Sequence, residues 1–127
     1  MSEGPRRADV VIGAVLCGGR SARFGSDKAL ADSGGEPLGR RVADALRDGG
    51  ADPVVAIGGQ AGADLGLPTV ADRRPGLGPL AALATALLWA RNGLVVVVPC
   101  DLPLLTGGHV AALVAAATYE ARQIIKI

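Results

Sequence analysis

Apolar residues fall into runs whose period changes along the chain. Residues 10–17 read Val-Val-Ile-Gly-Ala-Val-Leu-Cys without polar alternation, the pattern of a strand buried on both faces, as in parallel sheets. The run ends at Gly18-Gly19, and a polar, glycine-bearing loop follows to residue 26. Pro37 then opens a helix at a position where proline is tolerated. Leu38, Val42, Ala45 and Leu46 share one face of it, and Gly49-Gly50 stops it. Residues 54–57 form a second strand closed by Gly58-Gly59, residues 58–66 a glycine-rich loop, and residues 69–71 a short third strand. Pro75-Gly76 and Gly78-Pro79 punctuate a loop before an Ala/Leu-rich helix over 80–91. Residues 94–98, Leu followed by four Val between Gly93 and Pro99, give the most clearly bounded strand. A final helix is predicted over about 109–123.

Strands that alternate with helices in this way imply a parallel α/β sheet with right-handed crossovers. Ligands of such sheets bind at the carboxyl ends of the strands, where strand order reverses. That directs attention to residues 17–28, Gly58-Gly59, 72–80 and 100–105.

The chain has 127 residues, the size of one domain. Residues 1–9 read as a flexible lead-in and 10–127 as the single domain. Hydrophobic residues make up 50% and charged residues 20%, which excludes disorder, and with 2% aromatics the core must be built from Ala, Val, Leu and Ile. A net charge of +1 provides no basic field of the kind that coats nucleic acid. Two cysteines do not make a disulfide scaffold and are expected as reduced thiols. Arg6 and Arg7 before an apolar run faintly suggest an export signal, but Asp9 interrupts it, Leu16 is too large to precede a lipidated Cys, and no small-residue cleavage site follows. No apolar run approaches the roughly 18 residues of a membrane span. A soluble, cytoplasmic protein without a membrane partner is expected.

Three segments carry candidate chemistry. In Gly18-Gly19-Arg20-Ser21-Ala22-Arg23-Phe24-Gly25-Ser26-Asp27-Lys28 the paired glycines allow backbone amides to approach a polyphosphate, and Arg23 and Lys28 can neutralise it. The glycine spacing fits neither a P-loop nor a dinucleotide fingerprint, so an ordinary strand-to-helix turn with surface charges stands beside this reading. In Pro99-Cys100-Asp101-Leu102-Pro103 a carboxylate ends a central strand. It suits Mg²⁺, which often takes one or two carboxylates plus substrate phosphates; alternatively Asp101 only caps the next turn. If the first and fourth strands are neighbours, Asp101 lies beside the glycine loop. Asp72 with Gly76-Leu77-Gly78-Pro79-Leu80 leads into a helix whose N-terminal amides could serve a ligand or simply start the helix. His109 reads as a solvated helix-start residue, and Trp89 and Tyr119 as packing residues. Ser21 lacks the partners of a triad nucleophile. Cys17 and Cys100 have no metal-ligand spacing, yet both flank the proposed site.

Together these segments resemble the molybdenum cofactor guanylyltransferases, whose opening motif has the form L-A-G-G-x-S-x-R-M-G-x-D-K. Leu16 to Leu30 follows that form, Gly35-Glu36-Pro37-Leu38 matches the segment after it, and Arg74-Pro75-Gly76-Leu77-Gly78-Pro79-Leu80-Ala81 and Val98-Pro99-Cys100-Asp101-Leu102-Pro103 match two more in order. The opening motif marks the wider nucleotidyltransferase superfamily, and the later two narrow it. The resemblance implies a Rossmann-like, doubly wound, mainly parallel sheet with helices on both faces, in three αβα layers, with the first strand beside the fourth. It implies transfer of GMP from GTP to the terminal phosphate of molybdopterin, with loss of pyrophosphate. In that reading Arg23, Lys28 and Asp101 are catalytic, and Asp101 holds Mg²⁺. Leu16, Cys17, Gly18, Gly19, Lys28, Asp72, Gly78 and Asp101 bind GTP.

The sequence departs from the family pattern in several places. Cys17 replaces Ala and Phe24 replaces Met. Ile57-Gly58-Gly59 stands where an Asn often follows the second strand. The family continues past the last helix with further strands and an N-x-N-T-P-like segment, which the ending Gln123-Ile124-Ile125-Lys126-Ile127 does not match. The expectation is a fold incomplete at the C-terminus that binds GTP weakly, transfers GMP poorly and self-associates. The alternatives are a sister enzyme, a molybdopterin cytidylyltransferase or phospholactate guanylyltransferase, and a non-catalytic nucleotide-binding remnant.

Overall fold

The computed structural model describes residues 10–17, 32–33, 36–59, 61–71, 79–91, 93–102 and 104–125. The continuous apolar run forms strand β1 (Val11–Leu16). It lies inside a four-stranded parallel sheet with β4 (Val54–Ile57), β5 (Thr69–Val70) and β6 (Leu94–Pro99), in the order β5-β4-β1-β6. Gly13 pairs with Val54 on one side and with Val96 on the other. The chain therefore steps outward from β1 through β4 to β5, then crosses back to the far side of β1 to make β6. This reversal is the doubly wound order, and the first and fourth parallel strands are neighbours as the sequence implied.

The side-chain period of two divides the sheet into two buried faces. Val15 and Cys17 of the β1 segment, with Val96, Val98 and Cys100 of the β6 segment, pack with Val42, Ala43 and Leu46 of α1 (Leu38–Asp48) and Val110 of α4 (Gly107–Ile125). Ala14, Val55 and Ile57 face the other way, against Ala82 and Ala86 of α3 (Pro79–Ala90). Helices thus cover both faces, as two crossovers of one hand require when the direction of winding reverses. Gly13 in β1 makes room for α1: a Cβ there would lie 3.1 Å from Leu46 Cδ1 and 3.1 Å from Val54 Cγ2.

Helix α1 starts one residue after Pro37 and ends as Gly49-Gly50 dictates. The Gly49 amide donates to Ala45 O, and the Gly50 amide to Arg47 O, with Gly50 at φ +104° where a side chain would be strained. Helix α4 is capped by a reciprocal pair at its start. The His109 amide donates to Thr106 Oγ1 at 3.2 Å, and the Thr106 amide donates to His109 Nδ1 at 3.1 Å. This is a capping box with His in the place of Glu, and it gives the exposed His109 a structural role.

Three features differ from the sequence reading. Trp89, read as a packing residue, is 41% exposed on α3. The glycine-rich stretch 58–66 contains a short helix, α2 (Ala61–Asp64). Burial of Ala61, Leu65 and Leu67 holds that turn in place, and Gly62 brings it against Thr69 Oγ1 and Ala56 Cβ, where no side chain fits. Residues 32–37 contribute a small antiparallel pair, β2 (Asp32–Ser33) with β3 (Glu36–Pro37). It is too short to leave a period in the sequence.

Candidate functional site

The reversal of strand order falls between β1 and β6, and the register brings their carboxyl ends level. Leu16 pairs with Pro99. The next residues, Cys17 and Cys100, are buried, whereas Asp101 beyond them is exposed. On the other side of β1 the Cys17 amide donates to Ile57 O at 3.0 Å, which ties the end of β1 to the end of β4. There Gly58 and Gly59 both adopt positive φ, +73° and +64°, and the Gly58 amide donates to Val70 O at 2.9 Å. Non-glycine residues seldom adopt this conformation, so this turn requires the glycine pair. The ends of β5, β4, β1 and β6 thus form one continuous edge.

Of the predicted site residues, Leu16 closes β1, Cys17 follows it, and Asp101 stands two residues past the end of β6. Gly18, Gly19, Arg23, Lys28, Asp72 and Gly78 lie outside the described residues. Their described neighbours in sequence are Cys17 at the end of β1, Ala71 just past β5, and Pro79, the first residue of α3. A helix linking parallel strands runs back against them, which puts its N-terminus at their carboxyl edge. The described residues that flank all three predicted segments therefore lie at the same edge of the sheet. The leucines after Asp101 were given no role from sequence. Leu102, Leu104 and Leu105 with His109 line a shallow, largely apolar depression beside it. All four lie in the stretch where the loop after β6 turns into α4, so the depression is built locally.

Among the described residues no three His, Cys, Asp or Glu side chains gather into a metal cluster. The exposed carboxylate of Asp101 at the strand end fits a Mg²⁺ that draws its remaining ligands from substrate phosphates and water. No helix among the described residues is long and apolar enough to cross a membrane.

A doubly wound parallel α/β fold with its topological switch point between β1 and β6 is thereby defined. Residues 13–126 match the family model of the MobA-like NTP transferase domain, and the chain belongs to that family. It is similar to the molybdenum cofactor guanylyltransferase of Xanthomonas euvesicatoria pv. vesicatoria, with 42% identity over 107 residues, covering 81% of this chain and 53% of the relative. It is also similar to the molybdenum cofactor guanylyltransferase of Yersinia pestis (strain Pestoides F), with 36% identity over 107 residues, covering 81% and 55%. Among solved structures, a hypothetical transferase from Thermus thermophilus superposes with a TM-score of 0.61 at 28% identity over 85% of this chain and 47% of its own. Rv0371c of Mycobacterium tuberculosis H37Rv shares the fold, with a TM-score of 0.68 at 21% identity over 87% of this chain and 61% of its own. The chain spans about half the length of the curated relatives it matches.

Proposed function

We propose that this chain carries the nucleotide half of a guanylyltransferase that joins the GMP unit of GTP to the terminal phosphate of molybdopterin and releases pyrophosphate. The observation that carries the reading is the β1–β6 adjacency. It sets Leu16, two residues before Gly18, level with Pro99, two residues before Asp101, at the edge where doubly wound sheets bind ligands. The names of relatives at 36–42% identity support the choice of substrates.

In this reading the acceptor's own phosphate attacks the α-phosphorus, so no protein nucleophile is needed. Positioning and charge neutralisation then carry the catalysis. The backbone of Leu16, Cys17, Gly18 and Gly19, with Asp72 and Gly78, holds the nucleotide. Arg23 and Lys28 steady the phosphates as negative charge shifts toward the leaving pyrophosphate. Asp101 holds Mg²⁺, which supplies Lewis-acid stabilisation of the phosphate oxygens when bound. The reaction is assigned to the cytoplasm, where two thiols rather than a permanent disulfide are expected.

Gly58-Gly59 stands where the resemblance implies an Asn, so the base contact at the end of β4 is left open and a second reading is a sister enzyme that takes another base, such as cytosine. One experiment tests both readings: thermal shift and calorimetry of the purified chain with GTP, CTP and ATP, with and without Mg²⁺, then pyrophosphate release with molybdenum-loaded pterin. Mg²⁺-enhanced binding of GTP over CTP is expected. A preference for CTP would move the assignment to the sister enzyme, and no triphosphate binding would reject both.

A further inference from the structure

The two cysteines follow two level strand ends. Val15 pairs with Val98 and Leu16 with Pro99, so Cys17 and Cys100 are each the next residue after the last pair of the ladder. They also share a face: Val15 and Val98 belong to the core cluster under α1 and α4, and so do Cys17 and Cys100. Adjacent parallel strands lie about 4.8 Å apart, inside the span of about 4.4–6.8 Å found between the Cα atoms of a disulfide. The proposed transfer uses neither sulfur, since the nucleotide-binding segment works through its backbone and Asp101 through its carboxylate.

We propose that Cys17 and Cys100 form a dithiol that a small-molecule disulfide oxidant closes to an intramolecular disulfide, and that closure shuts the adjoining site; the second half rests on the nucleotide reading above. Cys100 is the entry thiol, being 7% exposed against 2% for Cys17. It follows the edge strand β6 at a bend and precedes the exposed Asp101 and Leu102. Cys17 follows the central strand β1 and is tied to Ile57 O through its amide. The deprotonated Cys100 attacks one sulfur of the oxidant, and the released thiolate takes up a proton. Cys17, deprotonated in turn, attacks Cys100 Sγ of the mixed disulfide and expels the second thiol. Two protein thiols lose two electrons and two protons, and the oxidant gains both to become two thiols.

In-register side chains on parallel strands project side by side, so both sulfurs must turn toward each other for the bond to form. That movement draws together the residue preceding Gly18-Gly19 and the residue preceding Asp101, the two groups the site needs at fixed separation. Strain of this kind makes a disulfide easily reducible, which marks a reversible device rather than a structural brace.

The test treats the whole chain with oxidised glutathione, then alkylates and digests it with trypsin. The expected product is a monomer in which the tryptic peptides 8–20 and 92–122 are linked, and dithiothreitol separates them. Cys17→Ala and Cys100→Ala should each form no internal link, with Cys17→Ala retaining a glutathione adduct on Cys100. Persistent alkylation of both thiols in the folded chain, or only links between molecules, would overturn the dithiol. GTP binding is then compared before and after oxidation. A loss of about tenfold or more, restored by reductant, is expected. Unchanged GTP affinity in the linked chain would overturn the closure of the site. A reduced chain that binds no GTP would refute the nucleotide reading and the closure that rests on it, while the peptide map still decides the dithiol.

Discussion

At the scale of single residues, the proposed site turns on the charges of Asp101 and Lys28. Asp101 is exposed just beyond β6, so its carboxylate can be altered without opening the core. Asp101→Asn keeps the shape and removes the charge. It should abolish the Mg²⁺ enhancement of GTP affinity with no change in melting temperature, as read by calorimetry beside circular dichroism. Metal dependence that persists in the variant would remove Asp101 from the site. Lys28 is assigned to phosphate, so Lys28→Ala should weaken GTP by about 1.5–3 kcal/mol, the strength of a charge-assisted hydrogen bond, and leave guanosine almost unaffected. Equal losses for both ligands would show that Lys28 acts on the base or through folding. Residue types and their spacing made both positions visible in the sequence. Gly58-Gly59 at a strand end and His109 at a helix start were legible too, but their positive φ and reciprocal cap were not, because these are facts of backbone geometry.

At the scale of elements, the strands and main helices follow from the chain's own period and punctuation. Their packing follows from particular contacts. The close approach of α1 and α4 is one. A Cβ on Gly49 would overlap Val110 Cβ, lie 2.5 Å from Val110 Cγ1 and 2.8 Å from Gly107 O, and Val110 is fully buried. Gly49→Ala should therefore cost about 1–3 kcal/mol, the usual penalty of overpacking. In a domain of this size that lowers the melting temperature by about 4–12 °C. Gly108 is the matched control. A Cβ there meets nothing closer than Thr106 Oγ1 at 3.6 Å. Gly108→Ala should be neutral or raise stability by up to about 1 kcal/mol, because glycine is the weaker helix former. If the two variants melted alike, the α1–α4 contact would not be as tight as described. A glycine that stops a helix is legible in sequence, whereas a glycine that lets a second helix seat against it is not.

At the scale of the whole molecule, the described surface leaves apolar area uncovered. Leu80, Leu87 and Leu88 lie along the outer side of α3 and are 51–76% exposed, and Leu113 on α4 is 55% exposed. β6, Leu followed by four Val, is the outer strand of the sheet on that side and has no charged residue to discourage pairing. Patches of this kind favour association. The purified chain should show an average mass by light scattering that rises with concentration. The double variant Leu87→Glu, Leu88→Lys should lower that rise without lowering the melting temperature. A monomeric parent chain at all concentrations would refute the expectation.

The sequence by itself determined the class of fold and the identity of the chemical groups. A run buried on both faces, a valine strand between Gly93 and Pro99, and helices that begin at proline and stop at glycine are local signals, written by burial period and backbone freedom. The motif from Leu16 to Lys28 and the one around Asp101 are likewise legible as residue types. Only the tertiary structure decided how far into the sheet each strand sits, that Leu16 lies level with Pro99, that residues 61–64 wind into a helical turn, and that the thiols of Cys17 and Cys100 share one buried face. Those facts depend on which distant segments pay the loop-closure entropy to meet. A register between strands some eighty residues apart leaves no period in either of them.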